Sequence, residues 1–403
     1  MGGLSLAAKT MPDAASVWDA DVAIVGAGFA GSLAALVLAR RGVRVAVVDR
    51  HRIYPQEFRC EKFSSAQLAL LEELGVLDCV AGFTHRFGRV LLAREGGPIG
   101  VRAMEERGLS YSDMVNAVRR AWPADVAFIQ GRVADLSAGE RGQTVACADG
   151  RHIKARLIVL ATGLGDKLLA RLGMRRRLIR EAHSLGVGFS IAPPEGGGFP
   201  FEAMTYFGEK AGDRIGYATL FPRGDAIRVN LFSYHEPRSD FAQALRADPI
   251  GAMLAAMPGM KPLIAGARLV SPVEMRPTDL YETLGAERAG LVLIGDAFRS
   301  SCPATGAGVT RILTDIRQLA SLHVPGWLAT PGMDGAKIAA FYADPHKVRY
   351  EAAAAYAAER GRSLAVETGL RWRAARRLVA MGARLRLAAA RLTGASDPAR
   401  TSN

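Results

Sequence analysis

Three glycines near the N-terminus are spaced for one kind of chemistry. In Gly26-Ala27-Gly28-Phe29-Ala30-Gly31, the first glycine permits a tight turn, the second lets a pyrophosphate approach the backbone, and the third lets a helix pack closely on a strand. A phosphate held there rests on a helix N-terminus, where unpaired N–H groups and the helix dipole favour an anion. The flanking elements must then be a buried strand and a helix. Residues 22–25 read as the strand, 32–40 as an Ala/Leu helix ended near Gly42, and 43–48 as a second strand closed by Asp49, placed to hydrogen-bond a ribose. This βαβ unit also accounts for the 18 uncharged residues 22–39, which would otherwise sit at the lower edge of a membrane span.

Two further turns are compatible with phosphate. The apolar strand 157–160 runs into Ala161-Thr162-Gly163. Far downstream, the strand 290–294 runs into Gly295-Asp296, followed by Cys302-Pro303-Ala304-Thr305-Gly306-Ala307-Gly308 and a helix over 309–319. Turns more than a hundred residues apart predict one cofactor domain assembled from discontinuous pieces. Between them the pattern changes: 186–191, 201–207, 214–221 and 226–234 are short runs rich in Val, Ile, Tyr and Phe, separated by Pro/Gly turns. The fold class is therefore α/β. A Rossmann-type domain is expected over 21–183 and 277–325, with an antiparallel-sheet substrate domain inserted over 184–276. A loose lead-in covers 1–20 and basic helices cover 326–403.

With these motifs, the stretch 21–322 resembles the FAD-dependent monooxygenases of the p-hydroxybenzoate hydroxylase type. That superfamily also holds squalene epoxidases, ubiquinone-pathway hydroxylases, geranylgeranyl reductases and flavin halogenases. The resemblance implies that Gly26, Gly28, Gly31 and Asp49 bind the ADP half of FAD, with Val133 contacting adenine and Thr162 and Gly163 forming a neighbouring turn of the site. It implies that Gly295 and Asp296 take the ribityl and pyrophosphate part, that Pro303, Gly306 and Gly308 lie beside the isoalloxazine, and that Arg59 touches the flavin side. In the inserted sheet, Tyr217 and Phe221 share a face, and they either line an apolar substrate pocket or simply pack the sheet. Cys302 falls next to the flavin, where it is either a small packed residue or a nucleophilic thiolate.

Three departures from the family pattern stand out. Ala161-Thr162-Gly163 occupies the place of the second Asp-Gly motif that handles FAD and NADPH, Tyr111 stands where many members carry an arginine, and the halogenase W-x-W-x-I-P is absent. The resemblance implies a monooxygenase that hydroxylates or epoxidises an apolar aromatic or terpenoid substrate through a flavin C4a-hydroperoxide. NAD(P)H or a partner reductase would supply the electrons. No catalytic side chain is nominated, because that chemistry belongs to the cofactor. The alternatives are a flavin-dependent reductase of prenyl-type C=C bonds and, from another class, a non-catalytic FAD-fold protein that binds or escorts lipid.

Composition narrows the field further. With 49% hydrophobic and 23% charged residues, global disorder is excluded. Fifty-two basic against 39 acidic residues give a formal net charge of +13. More than half of that excess, +7, falls in residues 361–403, where nine arginines meet two acids. Arg377, Arg384 and Arg391 recur every seven residues, with Leu378, Leu385 and Leu392 one position later, joined by Trp372, Val379 and Met381. On a helix these form adjacent basic and apolar stripes, as in an interfacial helix on an anionic membrane. The other reading is a solvated arginine face on a helix packed against the FAD domain. No RRM, helix-turn-helix or finger pattern accompanies the charge, so nucleic acid is not an expected partner. Four scattered cysteines and the isolated His85, His183, His235 and His323 predict neither a disulfide framework nor a metal site. The first twenty residues lack the apolar core of a secretory signal. The expected location is cytoplasmic, with peripheral contact at the inner face of the membrane if the basic helix binds lipid.

Overall fold

The computed structural model describes residues 17–392, with side chains through Val379 and those of Met381 and Leu385. Residues 1–16 of the expected lead-in, and the side chains of Arg384, Arg391 and Leu392, lie outside the described residues. The lead-in is not loose to its end: Val17–Asp19 is a strand paired in parallel with His152–Ala155. It opens a four-stranded sheet completed by Gln143–Cys147 and Val133–Ser137.

A five-stranded parallel sheet runs in the order Leu291–Leu293, Leu157–Leu160, Val22–Val25, Val45–Asp49, Ala127–Gln130. Its strands come from both ends of the chain, so the three turns noted in the sequence emerge close together. Parallel strands covered on both faces read as unbroken apolar runs, and Val22, Ala23, Ile24, Leu157, Ile158, Val159, Leu291, Val292 and Leu293 are fully buried. The helix Phe29–Ala39 is buried on every side. That burial, not lipid, is where the uncharged run goes. Among the described residues no helix is long and apolar enough to cross a membrane.

A nine-stranded sheet forms the second layer. Its order is Arg268–Leu269, Arg175–Ala192, Ala226–Ser233, Ile215–Arg223, Ala203–Phe207, His85–Arg94, Gly97–Ser110, Cys60–Phe63, with Glu274–Leu284 also paired to Arg175–Ala192. The sheet is antiparallel except between Ala203–Phe207 and His85–Arg94. It also draws three strands from residues 60–110, outside the segment 184–276. One face, with Met204, Tyr206, Leu220 and Leu231, is buried against Leu245 and Met253 of the helices Asp240–Ala247 and Pro249–Ala256 and against Met257 just beyond them. The other face turns toward the Pro303–Thr305 turn, where the Tyr217 hydroxyl donates to the Ala304 carbonyl.

The C-terminal helices lock onto this frame. Pro345–Val366 is joined to Ala307–Gln318 by Lys347 Nζ to Asp315 Oδ1 at 2.6 Å and by Arg311 to both oxygens of Glu351 at 2.6 and 2.9 Å. The last helix, Leu370–Leu392, packs against the Gly97–Ser110 strand. Arg376 is buried there and donates to the carbonyls of Leu364 and Glu367. Leu370, Leu378, Met381 and Leu385 are exposed.

Candidate functional site

The turn after Val22–Val25 is held by glycines for different reasons. Gly26 has φ +94°, and a Cβ there would lie 2.6 Å from the Ala161 carbonyl oxygen; a Cβ on Gly31 would lie 1.8 Å from the Gly26 oxygen. These two are required by the protein's own packing. Gly28 is not, since its Cβ would meet only the Tyr111 hydroxyl at 3.7 Å. Its bareness leaves open the start of the helix, whose cap has no side-chain hydrogen bond.

Asp49, at the end of the adjacent strand, accepts from the Ala27 N–H at 2.7 Å and the His51 N–H at 2.8 Å. Beneath them lies an arginine that the sequence did not reveal. Arg119 is buried, donates to the carbonyls of Ala27 at 2.9 Å and His51 at 2.6 Å, and stands 3.8 Å from Asp49. In the sequence it is one of two arginines in the last turn of the helix Tyr111–Arg120, a position any solvated cation takes. Tyr111 accepts from the Phe29 N–H at 3.3 Å, and Arg59 stacks on its ring at 3.8 Å while paired to Glu57 at 2.5 Å. A guanidinium is thus present near Tyr111, carried in from Arg59.

Gly28, Asp49, His51, Glu57, Arg59 and Tyr111 line a cleft of about 710 Å³, and Arg119 is not on its wall. Of the residues nominated from the sequence, Gly26, Gly28, Asp49, Arg59, Val133, Thr162, Gly163 and Asp296 lie on its wall, together with Tyr54, Tyr111, Lys167 and Arg276. Gly31 and Gly295 pack behind it, and Pro303, Gly306 and Gly308 surround the start of the Ala307–Gln318 helix. Gly306 is left-handed, with φ +65°, and its carbonyl accepts from Gln67. Tyr217 and Phe221 are not on this wall. Phe221 is fully buried and stacks on Phe87 at 6.3 Å, so packing accounts for it, while Tyr217 reaches the Pro303 turn and lies among Phe207 and Phe232. Cys302 is buried, 3.9 Å from the Ser184 hydroxyl, and burial pushes its thiol up. It is a packed neutral thiol, not a thiolate.

The cleft fits a dinucleotide. The Thr162 hydroxyl is buried there without a hydrogen-bond partner among the described residues, the Gly28 and Gly163 positions are open, and the helix start offers its N–H groups. Fold and cleft together define a discontinuous dinucleotide-binding flavoprotein. The chain belongs to the FAD binding domain family, whose model matches residues 19–322, and its cofactor is FAD.

The chain is 24% identical to squalene monooxygenase of Rattus norvegicus over 337 residues, 77% of this chain and 56% of that one. It thus spans about half the length of that relative. It is 27% identical to the probable electron transfer flavoprotein-quinone oxidoreductase YgcN of Escherichia coli strain K12 over 320 residues, 72% of each chain. Among solved structures it resembles p-nitrophenol 4-monooxygenase PnpA from Pseudomonas putida DLL-E4, with a TM-score of 0.71 at 17% identity over 89% of this chain and 92% of that one. It also resembles Klebsiella pneumoniae HpxO complexed with FAD and uric acid, with a TM-score of 0.70 at 18% identity over 93% and 95%.

His183 carries a separate prediction. It is 1% exposed, its ring stands edge-on to Tyr234 at 5.7 Å, and among the described residues neither ring nitrogen has a hydrogen-bond partner. Burial, aided by Arg180 and Arg362, lowers its pKa to about 4. Between about pH 6.5 and that value the unfolded chain takes up a proton that the folded chain refuses, so stability falls as pH drops through this window, by up to about 3 kcal/mol. Urea unfolding at both ends of the window checks it: the fall should shrink in His183→Phe, and an equal fall in both proteins refutes the assignment.

Proposed function

We propose that the protein is an FAD-dependent monooxygenase that hydroxylates or epoxidises an apolar aromatic or terpenoid substrate, with NAD(P)H or a partner reductase as electron donor. The observation that carries this reading is the tie between the two layers. The face of the large sheet bearing Phe207, Tyr217 and Phe232 is fastened through Tyr217 to the Ala304 carbonyl, in the turn proposed to flank the flavin ring. An aromatic wall there would orient an apolar substrate and exclude water. The likeness to squalene monooxygenase and to PnpA supports the same class. Bound FAD supplies the oxygen-activating chemistry once reduced. The nominated glycines, with Asp49, Thr162 and Asp296, would hold it, and Arg59, fixed on Tyr111, would stand at the flavin side.

A second reading, a reductase of prenyl-type double bonds fed by a protein donor, is favoured by Ala161-Thr162-Gly163 in place of an Asp-Gly motif and by the likeness to YgcN. Assaying the FAD-loaded protein for NAD(P)H oxidation against aromatic and terpenoid compounds, with and without oxygen, separates the two. Product formed equally well under strict anaerobiosis excludes monooxygenation.

The last helix fits contact with an anionic membrane surface. Leu370, Leu378, Met381 and Leu385 fall on one outward face, flanked by the exposed Arg371, Arg373 and Arg377. The full chain should sediment with vesicles rich in anionic lipid, less so at high salt, and Leu378→Glu combined with Leu385→Glu should abolish this. Equal partitioning of the two proteins removes the claim.

A further inference from the structure

Covered carboxylates in this protein are nearly all matched. Glu57 pairs with Arg59, Glu106 with Lys62 and Arg102, Asp315 with Lys347, and Glu351 with Arg311. Two half-buried carboxyls, Glu61 and Asp296, have neither a hydrogen bond nor an ion pair among the described residues. Asp296 already has a proposed role toward the ribityl chain. Glu61 has none.

The strand Cys60–Phe63 fixes where Glu61 looks. Cys60 packs with Phe87, Val90 and Phe221 against the large sheet, and Lys62 on the same side pairs with Glu106. Phe63 is fully buried in the core of the nucleotide layer. Side chains alternate along a strand, so Glu61 shares the Phe63 side and faces the cofactor layer. The strand end is pinned there, because Gln67 donates to the Gly306 carbonyl and to Thr310 at 2.9 Å. The charged groups acting on Glu61 are Arg59 and Glu57 from the preceding chain and Asp296 from the facing turn. The paired strand presents Leu109, and the following helix the neutral Gln67. Burial raises the Glu61 carboxyl above its ordinary range; Arg59 opposes this, and Glu57 and Asp296 reinforce it.

We infer that Glu61 is the proton-holding group at the ring end of the FAD site, presenting its carboxyl toward the bound isoalloxazine and exchanging one proton with water as the ring is reduced and reoxidised. This rests on reading the Pro303 turn as the ring end, with Gly295-Asp296 at the adjoining ribityl chain. Two electrons and one proton from the donor leave one negative charge on the ring. An ionised Glu61 beside that charge takes a proton from water, so that a neutral acid faces the reduced ring, and reoxidation returns that proton to water.

The test is proton uptake on anaerobic reduction of FAD-loaded protein, followed from about pH 5 to pH 8, in the wild type and in Glu61→Gln. The expected result is that both bind FAD, and that within one pH window the wild type takes up as much as one proton more per two electrons than the variant. Equal uptake at every pH overturns the inference. Failure of the wild type to bind FAD overturns the cofactor reading instead. Should Glu61→Gln not fold, Glu61→Asp, which keeps the acid at shorter reach, is expected to displace the window, and an unmoved window overturns the inference.

Discussion

Alanine at Gly31 is expected to yield a protein that neither folds stably nor retains FAD, whereas alanine at Gly28 is expected to yield a stable protein that has lost its grip on the cofactor. At Gly31 the added carbon would lie 1.8 Å from a backbone oxygen that belongs to Gly26. Gly26 is itself held against Ala161, so neither atom has room to retreat. A loss of about 3 kcal/mol or more follows. At Gly28 the nearest atom is a tyrosine hydroxyl at 3.7 Å, and the cost to the apoprotein should stay within about 1 kcal/mol. The same methyl would occupy the path of the pyrophosphate, so FAD affinity should drop at least about tenfold, or ~1.4 kcal/mol. Urea unfolding of the apoproteins and titration with FAD by flavin fluorescence read the two effects separately. Undiminished FAD binding by Gly28→Ala would exclude this loop as the phosphate site.

The second large effect is expected at Lys347. Its ammonium is 2% exposed, 2.6 Å from Asp315 and within 5.0 Å of the Phe298 and Phe341 rings. Lys347→Met leaves Asp315 buried without its cation, and the loss should be about 3–5 kcal/mol. Glu351 keeps Arg311 and does not add to it. Replacing both partners, Lys347→Met with Asp315→Leu, removes the stranded charge and should recover most of the loss. A double-mutant cycle in urea measures the coupling; a double variant as weak as the single would show that the site tolerates no apolar substitute. Because Asp315 lies on the helix that opens at Gly306, the single variant should also loosen FAD.

The nucleotide-binding unit was legible because its glycines each have a backbone task and its strands are covered on both faces. Val22–Val25 and Leu157–Leu160 could be read as apolar runs, and the turns after them followed. Other parts carry no such mark. Val17–Asp19 is too short to show a period. His85–Arg94 and Gly97–Ser110 pair with each other across register shifts, which break the alternation that would reveal them. The first half of Arg175–Ala192 reads as a charged surface. Arg119 was hidden for another reason, since burial and its carbonyl partners come from residues 67 to 92 positions away. In the sequence Glu61 is one more acid two residues from Arg59, and only the strand's two-sided packing shows which way it points.

The 18-residue strand Arg175–Ala192 also bears on how this protein moves. One end reaches the cofactor cleft, where Arg176 donates to the carbonyls of Gly163 at 3.0 Å and Leu164 at 2.6 Å. The other end lies in the sheet that carries Tyr217, paired with Ala226–Ser233 over seven residues from Leu185 to Ile191. A single hydrogen-bonded ribbon therefore belongs to both halves. Its middle is irregular, because pairing with Glu274–Leu284 shifts register between Leu178 and Ser184 and Ala182 has φ +39°, so any bending of one half against the other is confined to that short stretch of backbone.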